Sequence, residues 1–539
     1  MKFLVLTFCL FSCLCFSQEE DAWVYLKDKP SSDTYLNSPL LMLSQHSLDR
    51  RTAQGISLDL KDVPVESSYV NTISQSNGIT VFAKSKWLNA LHVRGTIADI
   101  NLVAALNIVD SVQFKDNSLN KGIRKKASEK FSIEKTLEAQ LDYGQTENQT
   151  TMLSGDFLHD FGYLGTGYKI AILDAGFKGV ETFTAFDRLH DANLSNGEIL
   201  GGYDYVNRNS DYYGDTGNTH GLSVLSTIGA YIEHQFIGTA PNAEFYLYVT
   251  EDVGSETPLE ESLWVEAAEA ADSIGVDIIN TSLGYTTYDD SSYSYSYSDM
   301  DGATTFISRG AEIASSRGML LVTSAGNEGS SSWKYISAPA DTPSVLSVGA
   351  VDANEIIASF SSFGPTADNR VKPEVLAQGR NVYVINSAGN ISLSNGTSFS
   401  GPIMAGMSAC LWQAFPNKTA SEIKDLIVHS ADRFQAPSDQ YGYGIPDFQS
   451  IYESLDVEHQ KKQIINIYPN PITDKLHITL AENHSYKEVH IFNFLGQLIA
   501  VKNISSSENI IDMEGLDSGV YLLELVSGTN SHSVKILKR

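Results

Sequence analysis

The residues best suited to chemistry in this sequence lie in four short segments that are far apart along the chain. They are Asp174 in KIAILDAG, His220 in NTHGLS, Asn327 in SAGNEG and Ser398 in NGTSFSGP. A serine hydroxyl is a poor nucleophile at neutral pH unless a base accepts its proton and a donor stabilises the resulting oxyanion. A histidine oriented by an aspartate is such a base, and a side-chain amide is such a donor. The four segments therefore predict acyl transfer through a covalent intermediate on Ser398.

The sequence around these residues predicts an α/β fold. From residue 164 onward, strand-like and helix-like segments alternate, as they do in a parallel sheet with helices on both faces. The predicted strands are residues 169–173, 244–250, 277–281, 319–323, 345–351 and 382–385. Ligands of such sheets bind at the carboxyl ends of the strands, and Asp174 and Asn327 each follow a strand. His220 and Ser398 each open an apolar helix, so side chains from different crossovers would meet at this edge.

The helix predicted over residues 398–415 is apolar or small on almost every side, which is typical of a buried helix. Close packing against its neighbours would be permitted by Gly401, Ala405 and Gly406. Pro402 is tolerated only near the first turn, so the helix must begin close to Ser398. Free N–H groups and the helix dipole would then favour an anion beside Ser398. Taken alone, the same motif also fits an ordinary helix cap.

The four segments, in the chain order Asp, His, Ser, resemble those of the subtilisin-like serine proteases, or subtilases. The resemblance runs from about residue 155 to about residue 450. It implies that Ser398 attacks the scissile carbonyl, that His220 accepts and later returns the proton, and that Asp174 orients His220. It also implies that the Asn327 amide and the Ser398 backbone N–H hold the oxyanion. No organic cofactor is needed for this chemistry.

Two further stretches resemble the subtilase segments that pair with the substrate backbone and wall the main specificity pocket. They are Ser282, Leu283 and Gly284, and Ser324, Ala325 and Gly326. Backbone pairing of this kind suits a protein or peptide substrate. The sequence departs from the family pattern at Ala175, Leu222 and Phe399, which are supporting positions, so we expect activity. The alternative is a catalytically silent surface-binding protein with the same fold, and the intact catalytic residues count against it.

Two acidic stretches have no counterpart in these motifs. Residues 285–301 are rich in tyrosine, serine and aspartate, and three aspartates precede His220: Asp204, Asp211 and Asp215. The resemblance to subtilases is compatible with a structural calcium ion, which takes six to eight oxygen ligands. No EF-hand spacing is present, and solvated loops are the favoured interpretation. Metal ligands are left unassigned.

The amino-terminal third predicts two parts that precede the catalytic domain. Residues 1–17 have the positive start and short apolar run of a secretory signal peptide, and they hold three of the four cysteines. Residues 18–138 contain a small α+β unit, with strands at 91–97 and 111–114 and a helix at 99–109. A unit in this place resembles the inhibitory propeptide of subtilases. The basic run that follows, residues 121–130, is either a processing site or a solvated linker.

The catalytic domain is then assigned to residues 139–457, with the charged residues 458–463 as a linker. Residues 464–539 predict about seven short strands, which is typical of a small β-sandwich. The motifs YPNP and GLDSGVY and the basic carboxyl end resemble the type IX secretion sorting domain of Bacteroidetes. A carbohydrate-binding or adhesive sandwich is the alternative.

The net charge of the chain argues against two classes of binding partner. The formal net charge is −28 over 539 residues, and such a surface repels nucleic acid and anionic membranes. No segment after the signal peptide is long and apolar enough to cross a membrane. Taken together, the sequence predicts a secreted or cell-surface serine endopeptidase that is exported through the periplasm by the type IX machinery.

Overall fold

The computed structural model describes residues 19–120, 141–191, 197–214, 217–462, 466–480, 486–494, 496–504, 508–527 and 530–539. The chain divides into two compact units, residues 1–451 and 452–539. The predicted signal peptide and the basic run at 121–130 lie outside the described residues. Within the described ranges, no helix combines the length and the apolar character needed to cross a membrane.

The first unit begins with a small α+β part. Its four strands are β1 (Glu19–Leu26), β2 (Ile79–Ser85), β3 (Ala90–Thr96) and β4 (Val109–Phe114), in the antiparallel order β2-β3-β1-β4. Its helices are α1 (Ser32–Leu36), α2 (Gln45–Ala53), α3 (Ser67–Ser74) and α4 (Ile97–Ala104). The two strands predicted here are confirmed. The helix expected over 99–109 starts and ends earlier, because Val109 already pairs with Leu26 in the sheet.

A seven-stranded sheet, parallel throughout, forms the centre of the first unit. Its strands are β5 (Lys169–Asp174), β6 (Glu198–Asp204), β9 (Glu244–Val249), β10 (Ile278–Thr281), β11 (Leu320–Ser324), β12 (Leu346–Val351) and β13 (Val375–Gln378). Their order is β13-β12-β11-β10-β5-β9-β6. Two antiparallel pairs lie apart from this sheet: β7 (Tyr231–Ile232) with β8 (Phe236–Ile237), and β14 (Val382–Ile385) with β15 (Ile391–Ser394).

The sheet confirms the predicted α/β class and corrects one strand. Residues 382–385 form β14, which pairs with β15 in a separate hairpin and is not part of the large sheet. The outer strands β6 and β13 were not predicted. Both have weak sequence signals, because β6 contains adjacent glycines and a register shift, and β13 is only four residues long.

Helices of the first unit pack around the sheet and bring side chains to its carboxyl edge. They are α5 (Glu147–Thr151), α6 (Gly155–Asp160), α7 (His220–Gly229), α8 (Leu259–Ile274), α9 (Phe306–Ser316), α10 (Thr397–Ala414) and α11 (Ala420–His429). A further helix, α12 (Phe448–Lys462), begins in the first unit and continues into the second. The helix α12 runs through residues 458–462, which the sequence analysis assigns to a linker. The predicted burial of the serine helix is confirmed, since every residue from Thr397 to Trp412 is buried.

The small residues of α10 permit that burial. A Cβ at Gly406 would lie 2.1 Å from the Thr239 Oγ1, and one at Gly401 would lie 2.8 Å from the Ser324 Oγ. Neither distance is compatible with a side chain. The helix therefore lies against its neighbours more closely than larger residues would allow.

The described residues of the second unit form seven strands. They are β16 (Asn466–Tyr468), β17 (Lys475–Thr479), β18 (Glu488–Asn493), β19 (Leu498–Asn503), β20 (Glu508–Asp512), β21 (Gly519–Ser527) and β22 (Asn530–Lys538). They make two antiparallel sheets, one with the order β16-β17-β20 and the other with the order β19-β18-β21-β22. Apolar side chains of both sheets, such as Ile478, Val489 and Leu523, share one buried cluster. The predicted small β-sandwich is confirmed.

Candidate active site

Asp174 and His220 are brought together at the carboxyl edge of the sheet. Asp174 is the last residue of β5, and its side chain is fully buried. His220 is the first residue of α7, and its side chain is 34% exposed. The His220 Nδ1 lies 2.7 Å from the Asp174 Oδ1. A carboxylate accepts hydrogen bonds, so this contact places a proton on Nδ1 and leaves Nε2 as an acceptor. The charge of Asp174 raises the pKa of His220, against the opposing effect of burial.

The two carboxylate oxygens of Asp174 have different surroundings. Asp174 Oδ1 also accepts the backbone N–H of Ala175 at 2.7 Å. Asp174 Oδ2 is buried without a hydrogen-bond partner among the described residues. Ala175 occupies the position where the sequence pattern favours serine or threonine, and it offers no hydroxyl to this oxygen. The orientation of His220 therefore depends on Oδ1 alone.

Ser398 is the second residue of α10 and is 8% exposed. Its hydroxyl donates to the Ser282 carbonyl oxygen at 3.4 Å, which is a long bond. Pro402 is the sixth residue of the helix, which begins at Thr397, one residue before the predicted start at Ser398. It has no N–H to donate to the Ser398 carbonyl, and the Ser282 hydroxyl donates to that oxygen instead at 3.0 Å. Ser282 thus fixes the backbone of Ser398.

Asn327 is held against the start of the same helix. Its Oδ1 accepts the backbone N–H of Thr397 at 2.8 Å and the Thr397 hydroxyl at 3.0 Å. A backbone N–H can only donate, so the atom that faces Thr397 is the amide oxygen, and Nδ2 remains as the free donor end. A Cβ added at Gly396 would lie 3.6 Å from the Ser398 backbone nitrogen and 3.7 Å from the Asn327 Nδ2. Both nitrogens therefore border one small space.

A cavity of about 450 Å³ opens beside His220. Four carboxylate side chains line it: Glu251, Asp252, Glu256 and Asp289. Ser282 and Leu283 form part of its wall. Glu251 accepts a hydrogen bond from the Tyr285 hydroxyl, and burial raises the pKa of this carboxyl to about 8. The space next to the candidate base is thus both acidic and large enough for a side chain.

The predicted substrate-binding stretches differ in their surroundings. The backbone N–H and C=O groups of Leu283 and Gly284 make no hydrogen bond to other described residues, so they are available to an extended ligand. The second stretch is already paired: the Ala325 N–H donates to Val348 and the Gly326 N–H to the Thr397 hydroxyl. The Ser324 hydroxyl also donates to the Thr397 carbonyl at 2.7 Å. In this structure residues 324–326 support the start of α10, and their contact with substrate stays a prediction.

Sequence reasoning missed three residues of this site. Thr397 orients the Asn327 amide, and Gly396 keeps the space beside it open with a φ of +153°. Both lie within the NGTSFSGP motif, so a signal for them was present. Glu251 had none, because it reaches the cavity only through the position of β9 in the sheet.

The acidic residues that suggested calcium cap local turns. Each of four accepts a backbone N–H of its own turn at 2.8–3.0 Å: Asp204, Asp211, Asp290 and Asp301. In the part of the chain that the structure describes, no group of three or more histidine, cysteine, aspartate and glutamate side chains is arranged to hold a metal ion. Asp215 lies outside the described residues.

Sequence profiles of three families match consecutive parts of the chain. The profile described as the subtilase family matches residues 165–444. The profile described as the peptidase S8 propeptide domain of Bacteroidota matches residues 21–132. The profile described as the secretion system C-terminal sorting domain matches residues 466–539.

Individual relatives match about half of the chain. Subtilisin DY of Bacillus licheniformis is 31% identical over 297 residues, which cover 54% of this chain and 94% of that protein. A subtilisin of Bacillus pumilus is 30% identical over 296 residues, with the same two coverages of 54% and 94%. Among solved structures, the epidermin leader peptide processing serine protease (EpiP) of Staphylococcus aureus superposes with a TM-score of 0.53 at 17% identity. The match covers 82% of this chain and 99% of that one, and it shows a shared fold.

Proposed function

Because the chain belongs to the subtilase family, we propose that Asp174, His220 and Ser398 form a catalytic triad that hydrolyses peptide bonds of proteins. The family makes the chain a subtilisin-like serine protease, and the propeptide and sorting domains make it an exported one, either secreted or attached to the cell surface. The roles of individual residues are the proposal. The observation that carries it is the 2.7 Å contact between His220 and the buried Asp174, at the sheet edge where α10 presents Ser398.

In the acylation step, the Ser398 hydroxyl turns from the Ser282 carbonyl to the His220 Nε2 and attacks the scissile carbonyl carbon. Its proton passes to Nε2, and the imidazolium that forms is stabilised by the charge of Asp174. Collapse of the tetrahedral intermediate breaks the C–N bond, and the same proton goes to the leaving amine. Catalytic hydrogen bonds commonly tighten only when substrate is bound, which is consistent with the long Ser398 contact here.

The oxyanion of the tetrahedral intermediate would lie in the space beside Gly396. The Asn327 Nδ2 and the Ser398 backbone N–H are its donors, and the amino terminus of α10 adds a favourable dipole. Deacylation repeats the sequence with water as the nucleophile and His220 as the base. The free backbone groups of Leu283 and Gly284 favour an extended polypeptide over a small ester as the substrate.

The test is hydrolysis of an unfolded protein by purified, processed chain. We expect cleavage at internal peptide bonds, and complete loss of cleavage in Ser398→Ala prepared by the same route. Processing of the variant would be supplied in trans by a small amount of wild-type enzyme, which is then removed. Cleavage by the variant at more than a tenth of the wild-type rate would contradict the triad, and a silent wild-type chain would favour the binding-protein alternative.

A further inference from the structure

The loop formed by residues 285–301, here called the tyrosine loop, is the segment that the sequence analysis left without a role. Four of its tyrosines are buried. Three of them, Tyr288, Tyr293 and Tyr295, have partners on the propeptide or on α8. The hydroxyl of Tyr293 accepts the backbone N–H of Asp21 at 3.2 Å and donates to Glu20 at 3.1 Å. The loop therefore contacts the propeptide directly.

Lys115 of the propeptide inserts its ammonium group between the other two tyrosines. Its Nζ lies 3.5 Å from the centroid of the Tyr295 ring and 4.4 Å from that of Tyr288. It also lies 2.9 Å from the Glu261 Oε1, with side-chain exposures of 2% for Lys115 and 0% for Glu261. A cation over an aromatic face is attracted by the ring quadrupole, and the attraction grows when water is excluded.

The groups nearest to the Lys115 ammonium belong to the catalytic domain, and the ring of Trp23 in the propeptide lies further away, at 5.7 Å. Glu261 accepts hydrogen bonds from the hydroxyls of Tyr288 and Tyr295, both at 2.7 Å, and from the Ile307 backbone N–H at 3.1 Å. These bonds fix the carboxylate and both rings without help from Lys115. The carboxylate keeps three donors when the propeptide leaves, so the arrangement is preformed for a cation.

Other charged contacts between the two parts lack this combination. Arg50 and Arg51 of α2 pair with Asp272 of α8 at 2.6 and 2.7 Å. These contacts consist of charge attraction and hydrogen bonds alone. The site around Glu261 adds two aromatic faces at distances that suit a compact ammonium. A planar guanidinium has a different shape and its own bidentate preference. The chemistry of the site thus distinguishes lysine from arginine.

We propose that Glu261, Tyr288 and Tyr295 form a lysine-binding socket on the catalytic domain, and that Lys115 is the propeptide side chain that the socket selects. The tyrosine loop is accordingly a propeptide-recognition element. The same loop contributes Asp289 to the cavity beside His220, so one segment contacts both the propeptide and the candidate active site. The inference rests on the proposed function only where the bound propeptide is regarded as an inhibitor.

The experiment uses the full chain with Ser398→Ala, so that the precursor stays intact whatever the activity of the wild type. Hydrogen exchange is followed at the backbone amides of Lys86 and Trp87, which donate to Glu269 of α8 at 2.9 Å each. These amides report separation of the propeptide from the catalytic domain. Exchange at Val93, inside the propeptide sheet, reports unfolding of the propeptide itself.

Lys115→Met should accelerate exchange at Lys86 and Trp87 by roughly 10²-fold, because a buried charge pair is broken, with Val93 unchanged. Lys115→Arg should recover less than a tenth of the lost protection. The matched control is Lys27→Met, since the exposed Lys27 ammonium only donates to the Asn107 carbonyl within the propeptide; exchange in this control should stay within twofold of the parent chain.

Tyr295→Leu changes only the catalytic domain. It is the deciding variant if Lys115→Met also accelerates exchange at Val93, which would mean that Lys115→Met unfolds the propeptide itself. It should accelerate exchange at Lys86 and Trp87 in the Lys115 background and add nothing in the Lys115→Met background. Three results would each overturn the socket: additive effects of the two substitutions, full protection in Lys115→Arg, or equal behaviour of Lys115→Met and Lys27→Met. None of these readouts uses catalysis, so failure of the proposed protease mechanism would be seen separately.

Discussion

Two helices of the first unit, α10 and α8, are both buried for most of their length, but for different physical reasons. Along α10 the buried residues are small or apolar, and the helix needs no charged partner. Along α8 the buried residues include Glu261, Glu269 and Asp272. Each of these acids is paired with the propeptide: Glu261 with Lys115, Glu269 with the segment around Lys86, and Asp272 with Arg50 and Arg51.

This difference separates the residues proposed for catalysis from the residues that hold the propeptide. When the propeptide leaves, the buried environment of α10 is unchanged, and Ser398 keeps its place at the helix start. The acidic face of α8 loses its propeptide partners and becomes exposed to water, and only Glu261 among its three acids keeps donors from Tyr288, Tyr295 and Ile307. We therefore expect substitutions around Ser398 to change turnover in the processed enzyme, and substitutions on the acidic face of α8 to change only the association of the propeptide.

The largest expected effect is that of Ser398→Ala on turnover. Loss of the nucleophile in a triad of this kind costs about 10⁶-fold in kcat, while the small methyl group fits the buried start of α10. Steady-state peptide hydrolysis and thermal unfolding measured on the same preparation check both parts. A large fall in Tm would show that the hydroxyl stabilises α10, which the account does not allow.

Asp174→Asn should lower kcat by about 10⁴-fold, because the amide favours the wrong tautomer of His220. The pH dependence gives a second readout. His220 must be neutral to accept the proton, so kcat/KM falls as pH drops through the His220 pKa, which Asp174 raises. In Asp174→Asn the acid limb of the residual activity should move to lower pH. An acid limb at an unchanged pH would mean that a group other than His220 is the general base.

Asn327→Ala should lower kcat by about 10²–10³-fold with little change in KM, because its amide acts on the oxyanion and not on bound substrate. The values of kcat and KM from initial rates check this. Gly396→Ala is the companion variant, since its Cβ would enter the space between the two donors. A rise in KM with unchanged kcat in Asn327→Ala would assign Asn327 to substrate binding.

Glu269→Ala should leave kcat of the processed enzyme within twofold and loosen the propeptide. The Ser85 hydroxyl and the amides of Lys86 and Trp87 would lose their acceptor, a loss that corresponds to roughly tenfold faster exchange of interface amides in the Ser398→Ala precursor. Glu312→Ala on α9 is the control, since Glu312 binds Ser344 of the catalytic domain. Equal exchange in the two variants would contradict the assignment of the α8 face.

Removal of the sorting domain, residues 463–539, should have the smallest effect on chemistry. The sorting domain has its own core, so truncation after Lys462 should leave kcat/KM of the processed enzyme unchanged within twofold. The truncated chain should accumulate in the periplasm of a host with type IX secretion. Its distribution between periplasm and medium is the measurement, and normal export would refute the sorting role for this chain.

The contrast between α10 and α8 also explains what the sequence could predict. The apolar run of α10, the strands β5 and β11 and the candidate residues at their ends depend on local pattern, and these were predictable. The acids of α8 were not, because their partners lie far away in sequence, with 146 positions between Glu261 and Lys115 and 222 between Asp272 and Arg50. For the same reason sequence alone favours a solvated tyrosine loop, although Tyr288, Tyr293 and Tyr295 are buried in contact with the propeptide or with Glu261.

The hairpin of β14 and β15 shows a second limit to what the sequence alone can predict. Residues 382–385 have the composition of a buried strand, and only the tertiary fold places them in a hairpin with β15. The Ser282 hydroxyl shows a third limit, since no local pattern indicates that it donates to the Ser398 carbonyl in place of the N–H that Pro402 lacks. In each case a contact between distant segments decides between local alternatives.

The most direct test of Ser398 as the activated nucleophile is covalent labelling of the processed enzyme with a fluorophosphonate probe, followed by peptide mapping. A serine reacts with such a probe only when a base and an oxyanion site activate it. We expect a single adduct on Ser398, absent in Ser398→Ala and formed far more slowly in His220→Ala, although both variants keep the native fold. An enzyme that cleaves peptides without an adduct on Ser398, or an adduct that persists at the wild-type rate in His220→Ala, would contradict this expectation.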